Sequence, residues 1–257
     1  MQDGFAPLRK DPCRQEATHA YSRVFAVGVR TVTLPDSRFL KTLPADIASQ
    51  IALTLEPVDY RRGDVLLQAG QAIEFVYFPT TCLISLVVML ENGNTVEAAT
   101  VGSDGIAGVS AFLGMERADL TAMVQIAGEA LRMPIVEFRK FITVEAFRER
   151  AGAFTAKTVA TIAQSTACMA FHPVQERLAR WLLLVSDATE RDELPLTHEF
   201  MAVMLGVYRP TVTIAIRTLE AGGLIEHRRA LIRILDAEAL ASAACECYRL
   251  SGWDRRR

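Results

Sequence analysis

The sequence predicts an α+β chain: a β-rich part, then a long helix, then a smaller helical part closed by two strands. Three observations predict it. Between 57 and 135, short runs of Val, Leu, Ile and Phe are punctuated by Gly63, Gly70, Gly93, Gly102, Gly105, Gly108, Gly114 and Gly128. Many short strands separated by glycine turns mean a sandwich or roll. From 135 to 171 glycine nearly vanishes and helix formers take over. Beyond 172, helical spacing runs to a Gly222-Gly223 stop and resumes as two strand-like runs. A chain of 257 residues with 51% hydrophobic and 23% charged residues has ordinary globular proportions and the length of about two domains.

Residues 1–34 have little periodicity and are expected to be an extension without the basic-then-apolar order of a secretory signal. No uncharged apolar run approaches the roughly 18 residues that cross a bilayer, so no membrane partner is expected. Pro44 in a first turn, followed by Ile47, Ile51 and Leu55, suits a short amphipathic helix. Val65–Gln68, Phe75–Phe78, Leu83–Leu90, Thr95–Val101 and Leu120–Ile126 read as strands, and Asn92-Gly93 marks a hairpin with positive φ at its central residues. Thr155, Val159, Ile162, Thr166 and Met169 step by alternating fours and threes, a short coiled-coil-like seam suited to a homodimer. His172-Pro173 breaks that helix, and a new one runs over Val174–Ser186 with Leu178, Trp181, Leu182 and Val185 inward.

The most informative stretch is Leu194–Leu235. Thr197 caps a helix over Glu199–Leu205, Gly206 makes a tight turn, and Arg209-Pro210 opens a second helix. Val212, Ala215, Ile216 and Leu219 face inward, which leaves Arg209, Thr213 and Arg217 on the opposite face. Leu224–His227 and Leu231–Leu235 follow as a two-stranded wing with Arg228 and Arg229 at its tip. Such a unit is a winged helix-turn-helix, with its second helix sized for a DNA major groove. Arg209, Thr213 and Arg217 are the expected base readers; Thr197, His198, Tyr208, Thr211, Arg228 and Arg229 are the expected phosphate contacts. Net charge is −2, yet residues 200–233 carry Arg209, Arg217, Arg228, Arg229 and Arg233 against Glu220 and Glu226, a local basic stripe for an anionic partner.

On these residues the chain resembles the Crp/Fnr family of bacterial transcription regulators over about residues 40–250. Arg61-Arg62-Gly63-Asp64-Val65-Leu66 followed by Gly70 is similar to the family's opening of its β-roll, and Tyr208-Arg209-Pro210-Thr211-Val212 to its recognition-helix opening. Glu176–Leu182, Leu194–Thr197 and the closing Cys245-Glu246-Cys247-Tyr248 resemble a subgroup abundant in soil bacteria. The resemblance implies an N-terminal extension over 1–34 and a jelly-roll-like (double-stranded β-helix) sensor of the cyclic-nucleotide-binding type over 35–148. A dimerisation helix would follow over 149–171, and a winged helix-turn-helix over 172–257. It implies a homodimer on inverted-repeat double-stranded DNA, with RNA polymerase and an unidentified small-molecule effector as further partners. Nucleotide-binding members hold ribose and phosphate with a Gly-Glu-Leu turn and an Arg-Ser/Thr pair. Here the corresponding residues are Gly108-Val109-Ser110 and Leu120-Thr121, and both charges are missing. A degenerate pocket at Gly108, Val109, Ser110, Leu120 and Thr121, not governed by cyclic AMP, is therefore expected.

Five scattered cysteines, 13, 82, 168, 245 and 247, form no disulfide framework, so a reducing cytoplasm is expected. No second ligand pair follows Cys245-x-Cys247, so neither a metal nor another cofactor is expected. The roll has no histidine for haem, and a single N-terminal cysteine does not hold an iron–sulfur cluster. No Gly-x-Ser-x-Gly, phosphate-binding Gly-Lys-Ser/Thr loop or His-Glu-x-x-His occurs, and the four histidines are far apart; an enzyme is not expected. The competing reading is a cyclic-nucleotide-type receptor acting on a protein partner. It calls for an intact phosphate cassette and no arginine-bearing helix face, the reverse of what the sequence holds.

Overall fold

The computed structural model describes residues 36–250; the expected N-terminal extension lies outside the described residues. Two short helices, α1 (Arg38–Lys41) and α2 (Ala45–Ala52), lead into seven strands: β1 (Glu56–Tyr60), β2 (Val65–Leu67), β3 (Phe75–Pro79), β4 (Leu83–Met89), β5 (Thr95–Val101), β6 (Thr121–Ile126) and β7 (Gly128–Pro134). They form two antiparallel sheets, β1-β7-β3 and β2-β6-β4-β5. Phe39, Phe78, Ile84, Val101, Ala122, Val124 and Met133 fill the space between them, so the glycine-marked stretch is a two-layered roll. Two of its strands differ from the sequence expectation. β1 and β7 carry no strand signal because Glu-Pro-Val-Asp-Tyr and Gly-Glu-Ala-Leu-Arg-Met-Pro lack clean alternation. Pro57 is tolerated because β1 is an edge strand of its sheet.

The β4–β5 hairpin also differs in its turn. Leu90 N–H donates to Asn94 O (2.8 Å), the Asn92 side-chain oxygen accepts from Asn94 N–H (3.0 Å), and only Gly93 takes positive φ (84°). The loop is therefore a three-residue turn ending in a left-handed glycine, rather than one with both central residues at positive φ.

Helix α3 (Ile135–Phe141) follows, then α4 (Glu145–Phe171). The first turns of α4 carry Phe147, Ala151 and Phe154, all within the roll core. An expected boundary at 148/149 thus cuts an uninterrupted helix whose opening belongs to the roll. After Pro173, α5 (Val174–Thr189) buries nearly its whole length. The C-terminal part adds β8 (Glu193–Leu194), α6 (His198–Leu205), α7 (Arg209–Ala221), β9 (Ile225–Arg228), β10 (Leu231–Ile234), α8 (Ala237–Ala243) and α9 (Cys247–Leu250). β8 pairs with β10, so the wing sheet has three strands, ordered β8-β10-β9, where two were expected.

A second apolar cluster joins the two parts. Leu83, Val87, Met123 and Ile126 on the outer face of the roll pack with Leu182, Met204, Leu205, Val212 and Ile216.

Candidate nucleic-acid interface

Helices α6 and α7 meet at 105°, within the range of DNA-binding helix-turn-helix pairs. The Thr197 hydroxyl accepts from Phe200 N–H (3.2 Å) and caps α6 as expected. Gly206 ends it at φ 63°, a left-handed conformation that glycine takes without strain. A Cβ there would also meet Val96 Cγ2 at 3.0 Å, so the turn seats directly on β5. Pro210 lies in the first turn of α7, and Val212, Ala215, Ile216 and Leu219 are buried as the spacing predicted.

The outer face of α7 is richer than the three expected residues. Arg217 is exposed. Arg209 Nε lies 2.6 Å from Glu199 Oε1 of α6, an exposed pair. Exposed ion pairs contribute about 0–1 kcal/mol, so this one yields readily to a phosphate or a guanine edge. Thr213 is turned sideways: its hydroxyl donates to Arg209 O (3.2 Å) and meets His198 Nδ1 at 3.0 Å. It fixes α7 against α6 more than it faces outward. Sequence reasoning missed Ile214, which is 66% exposed in the middle of this face; an apolar residue there carries no signal by itself. Tyr208 is 86% exposed at the entrance to α7, and Thr211 is half-buried beside it.

The wing tip turns at Arg229, whose φ of 51° is left-handed. Arg228 is exposed and pairs with Glu226 Oε1. The His198 ring lies 4.5 Å from that of His227 on β9, and His227 Nε2 contacts Arg229 O at 2.7 Å. Burial, with His227 and Arg209 nearby, holds the His198 imidazole below its usual pKa. His198 is thus a neutral spacer between helix pair and wing, half-buried rather than presented to a backbone.

Within the roll, Gly108, Val109, Ser110 and Leu120 line a cavity of about 130 Å³ together with Leu67, Leu86, Leu113 and Asp119. Thr121 is not among the lining residues: it is buried, and its hydroxyl accepts from Gln68 Nε2 (3.3 Å) and Ala69 N–H (3.2 Å). The Arg117 guanidinium is tied to Gly70 O at 2.8 Å, outside the lining. Among the described residues, the only ionisable side chain at the wall is Asp119, of the wrong sign for a phosphate.

Along α4 the expected seam divides. Thr155 is buried and Ile162 packs on the roll core, and with Val159 both also line the cavity. Val159 (59% exposed), Met169 (37%) and Thr166 remain outward. Ala156, Ala160, Ala163, Ala167 and Ala170 accompany them on the exposed side.

A polar junction missed by sequence reading joins β5 to α5. Glu97 Oε1 accepts from Trp181 Nε1 (2.7 Å), and its Oε2 lies 2.5 Å from Ser85 Oγ. Burial pushes the Glu97 carboxyl up to about 7, although Ser85, Trp181 and Arg180 oppose the shift.

Comparison with known proteins adds two domain matches. Residues 57–144 match the cyclic nucleotide-binding domain, and residues 176–243 match the Crp-like helix-turn-helix domain. Among solved structures, FixK2 from Bradyrhizobium japonicum is 16% identical, with a TM-score of 0.65 over 74% of this chain and 98% of its own. A Crp-family transcriptional regulator from Thermus thermophilus is 21% identical, with a TM-score of 0.61 over 73% and 96%. A Crp/Fnr-family transcriptional regulator from the same organism reaches 25% identity, with a TM-score of 0.58 over 74% and 98%. No curated protein matches the chain.

Proposed function

We propose, from the premise that the chain belongs to the Crp/Fnr family of DNA-binding transcription regulators, that it reads an inverted-repeat operator as a homodimer without cyclic AMP as its effector. The observation that carries the DNA reading is the 105° helix pair, with Arg209, Ile214 and Arg217 outward on α7 and Arg228 and Arg229 on the adjoining wing.

In this reading Arg217 and Arg209 take guanine edges, each as a bidentate donor, and Ile214 packs against a thymine methyl. Arg228, Arg229, Tyr208, Thr211 and the free O–H of Thr197 hold phosphates on either side. Thr213 and His198 keep α6, α7 and wing in register rather than touching bases. Dimerisation along the outward side of α4, through Val159, Thr166 and Met169, would set two recognition helices about 34 Å apart, one DNA turn. RNA polymerase is the natural further partner of a regulator so placed.

The roll cavity supports the effector half of the reading. A mostly apolar lining with the hydroxyl residues Ser110, Thr155 and Thr158, one carboxylate and no cation gives a cyclic phosphate no opposite charge to pair with. Its walls suit a small, largely apolar molecule instead.

Selection of bound sequences from random double-stranded DNA by the purified chain tests the proposal. It predicts enrichment of a two-fold symmetric motif with half-sites one helical turn apart. Absence of any enriched motif at moderate salt would overturn it.

A further inference from the structure

At the junction between α4 and the C-terminal segment, four side chains with metal-ligating atoms converge. Cys168 lies one turn before the end of α4, and His172 is the residue that ends it; Cys245 lies between α8 and α9, and Cys247 opens α9. Cys168 and His172 are four apart, so a helical turn places them on one face, and His172 N–H still donates to Cys168 O at 3.1 Å. The three sulfurs and one imidazole nitrogen all lie within 4.8 Å of one another. Cys168 Sγ and Cys245 Sγ are 3.5 Å apart, and so are Cys247 Sγ and His172 Nδ1.

We propose that Cys168, His172, Cys245 and Cys247 form a tetrahedral site for one Zn²⁺ per chain, which staples the C-terminal segment to the end of the long helix. Bonds of about 2.3 Å to sulfur and 2.0–2.1 Å to nitrogen around a tetrahedral ion put the ligand atoms roughly 3.5–3.8 Å apart. The observed separations are of that order. They are too short for the ligands of an iron–sulfur cluster, which must span several metal and sulfide atoms. Three thiolates and one imidazole are a soft, tetrahedral donor set, which selects zinc over oxygen-seeking cations.

Three further features point the same way. His172 Nε2 lies 3.1 Å from Glu246 Oε2, so a proton on Nε2 is held by a carboxylate and the Nδ1 lone pair is left for the metal. This is the outer-shell arrangement that orients metal-bound histidines. Gln164 Nε2 contacts Cys247 Sγ at 2.9 Å, a donor suited to a thiolate. The three sulfurs also make a buried group of their own, separate from both apolar cores. Packing therefore does not account for them. Arg177 and Arg180 are buried nearby, and Arg180 Nε has no hydrogen-bond partner among the described residues. A site of three thiolates, one neutral imidazole and Zn²⁺ keeps one net negative charge, which these guanidiniums offset. Binding releases the three thiol protons to solvent, so affinity rises with pH.

The test uses the full chain, purified under reducing conditions, reduced and stripped of metal, then titrated with Zn²⁺ or Co²⁺. The expected result is one tightly held Zn²⁺ per chain. Co²⁺ should give the intense visible bands of a tetrahedral ion with sulfur-to-metal charge transfer. Cys82→Ser keeps that stoichiometry, since Cys82 lies elsewhere, and Cys247→Ser loses it. Glu246→Gln, a change on an exposed residue that leaves folding intact, lowers zinc affinity about ten- to a hundredfold. A folded chain that retains no Zn²⁺, a Co²⁺ spectrum without thiolate bands, or a Cys168–Cys245 disulfide in the freshly isolated protein would each overturn the proposal. Zinc affinity unchanged by Glu246→Gln would do so for the histidine ligand.

Discussion

Replacing Glu97 by Gln should change how stability depends on pH more than it changes stability itself. The Ser85 hydroxyl sits between Glu97 Oε2 at 2.5 Å and Gln125 Oε1 at 2.8 Å, and it has one proton for two acceptors. A protonated Glu97 resolves the conflict by donating to Ser85, which then donates to Gln125. That arrangement agrees with a carboxyl pushed from 4.5 up to about 7 by burial. The folded state therefore holds this proton more tightly than the unfolded chain. Its contribution is fully present below pH 4.5 and is lost as pH rises from 4.5 to 7. Shifts convert at about 1.36 kcal/mol per pH unit, so the loss is at most on the order of 3 kcal/mol, less whatever solvent reaches the half-buried residue. Gln is close in shape to the protonated acid and still accepts from Trp181. Urea unfolding of both proteins at pH 5 and pH 8 measures the difference. Glu97→Gln should match the wild type at pH 5 and gain on it by roughly 1–3 kcal/mol at pH 8. His198, whose lowered pKa acts with the opposite sign as pH falls below 6.5, is common to both proteins and cancels. Parallel pH profiles for the two proteins would refute the reasoning and mean that Glu97 is ionised in the fold.

The remaining expectations concern recognition. Arg217→Ala should cost about 1–3 kcal/mol on the selected operator and much less on random DNA, measured by competition binding. Arg228→Ala should weaken all DNA alike and reduce the salt slope by about 0.9. Val159→Asp, on the outward side of α4, should shift the chain toward monomer in sedimentation with little change in unfolding. Ile162→Asp, which faces the roll core, should lower unfolding stability instead. In calorimetry, cyclic AMP should bind at least on the order of a hundredfold more weakly than to a pocket with both charged partners, since each charge-assisted bond is worth about 1.5–3 kcal/mol.

The parts legible in the sequence are those whose signals are local. Thr197, Gly206, Pro210 and Gly222 each carry a cap or turn preference that acts within a few residues, so the helix pair is readable residue by residue. The strands without a sequence signal, β1 and β7, are mixed in polarity because each is held by a neighbour far along the chain: Glu56 pairs with Arg132 and Phe75 with Pro134. That Val109 and Leu120 carry no charge is legible because a missing charge needs no tertiary context. That Thr121 turns toward Ala69, or Arg117 toward Gly70 O, is not, since both depend on the packed loop. The seam shows the same limit: its step pattern marks a helix face, but whether a partner or the roll covers that face depends on how α4 seats. Cys245-x-Cys247 lacks a second pair only when the search runs forward. The other half of the cluster, Cys168-x-x-x-His172, lies upstream across the whole winged unit.

Part of what the sequence could not show lies where the two parts meet, and physics gives a reason. Apolar faces such as Leu83, Val87 and Met123 against Met204 and Leu205 supply most of the attraction, about 25 cal/mol per Å² buried. That attraction is nearly indifferent to a slide of an ångström or two. Directional contacts are not indifferent. Glu97 to Trp181 and Arg62 Nη1 to Pro195 O at 2.9 Å each join the roll to the C-terminal part, and within the C-terminal part Arg177 ties α5 to the Leu205 carbonyl of α6. Any slide leaves a buried donor or acceptor unpaired at about 1–3 kcal/mol. The polar set therefore selects one seating of α6 and α7 on β5 from the many that the apolar faces allow. In the proposed dimer, whose two recognition helices would meet successive grooves one turn apart, that selection would decide whether both half-sites are reached.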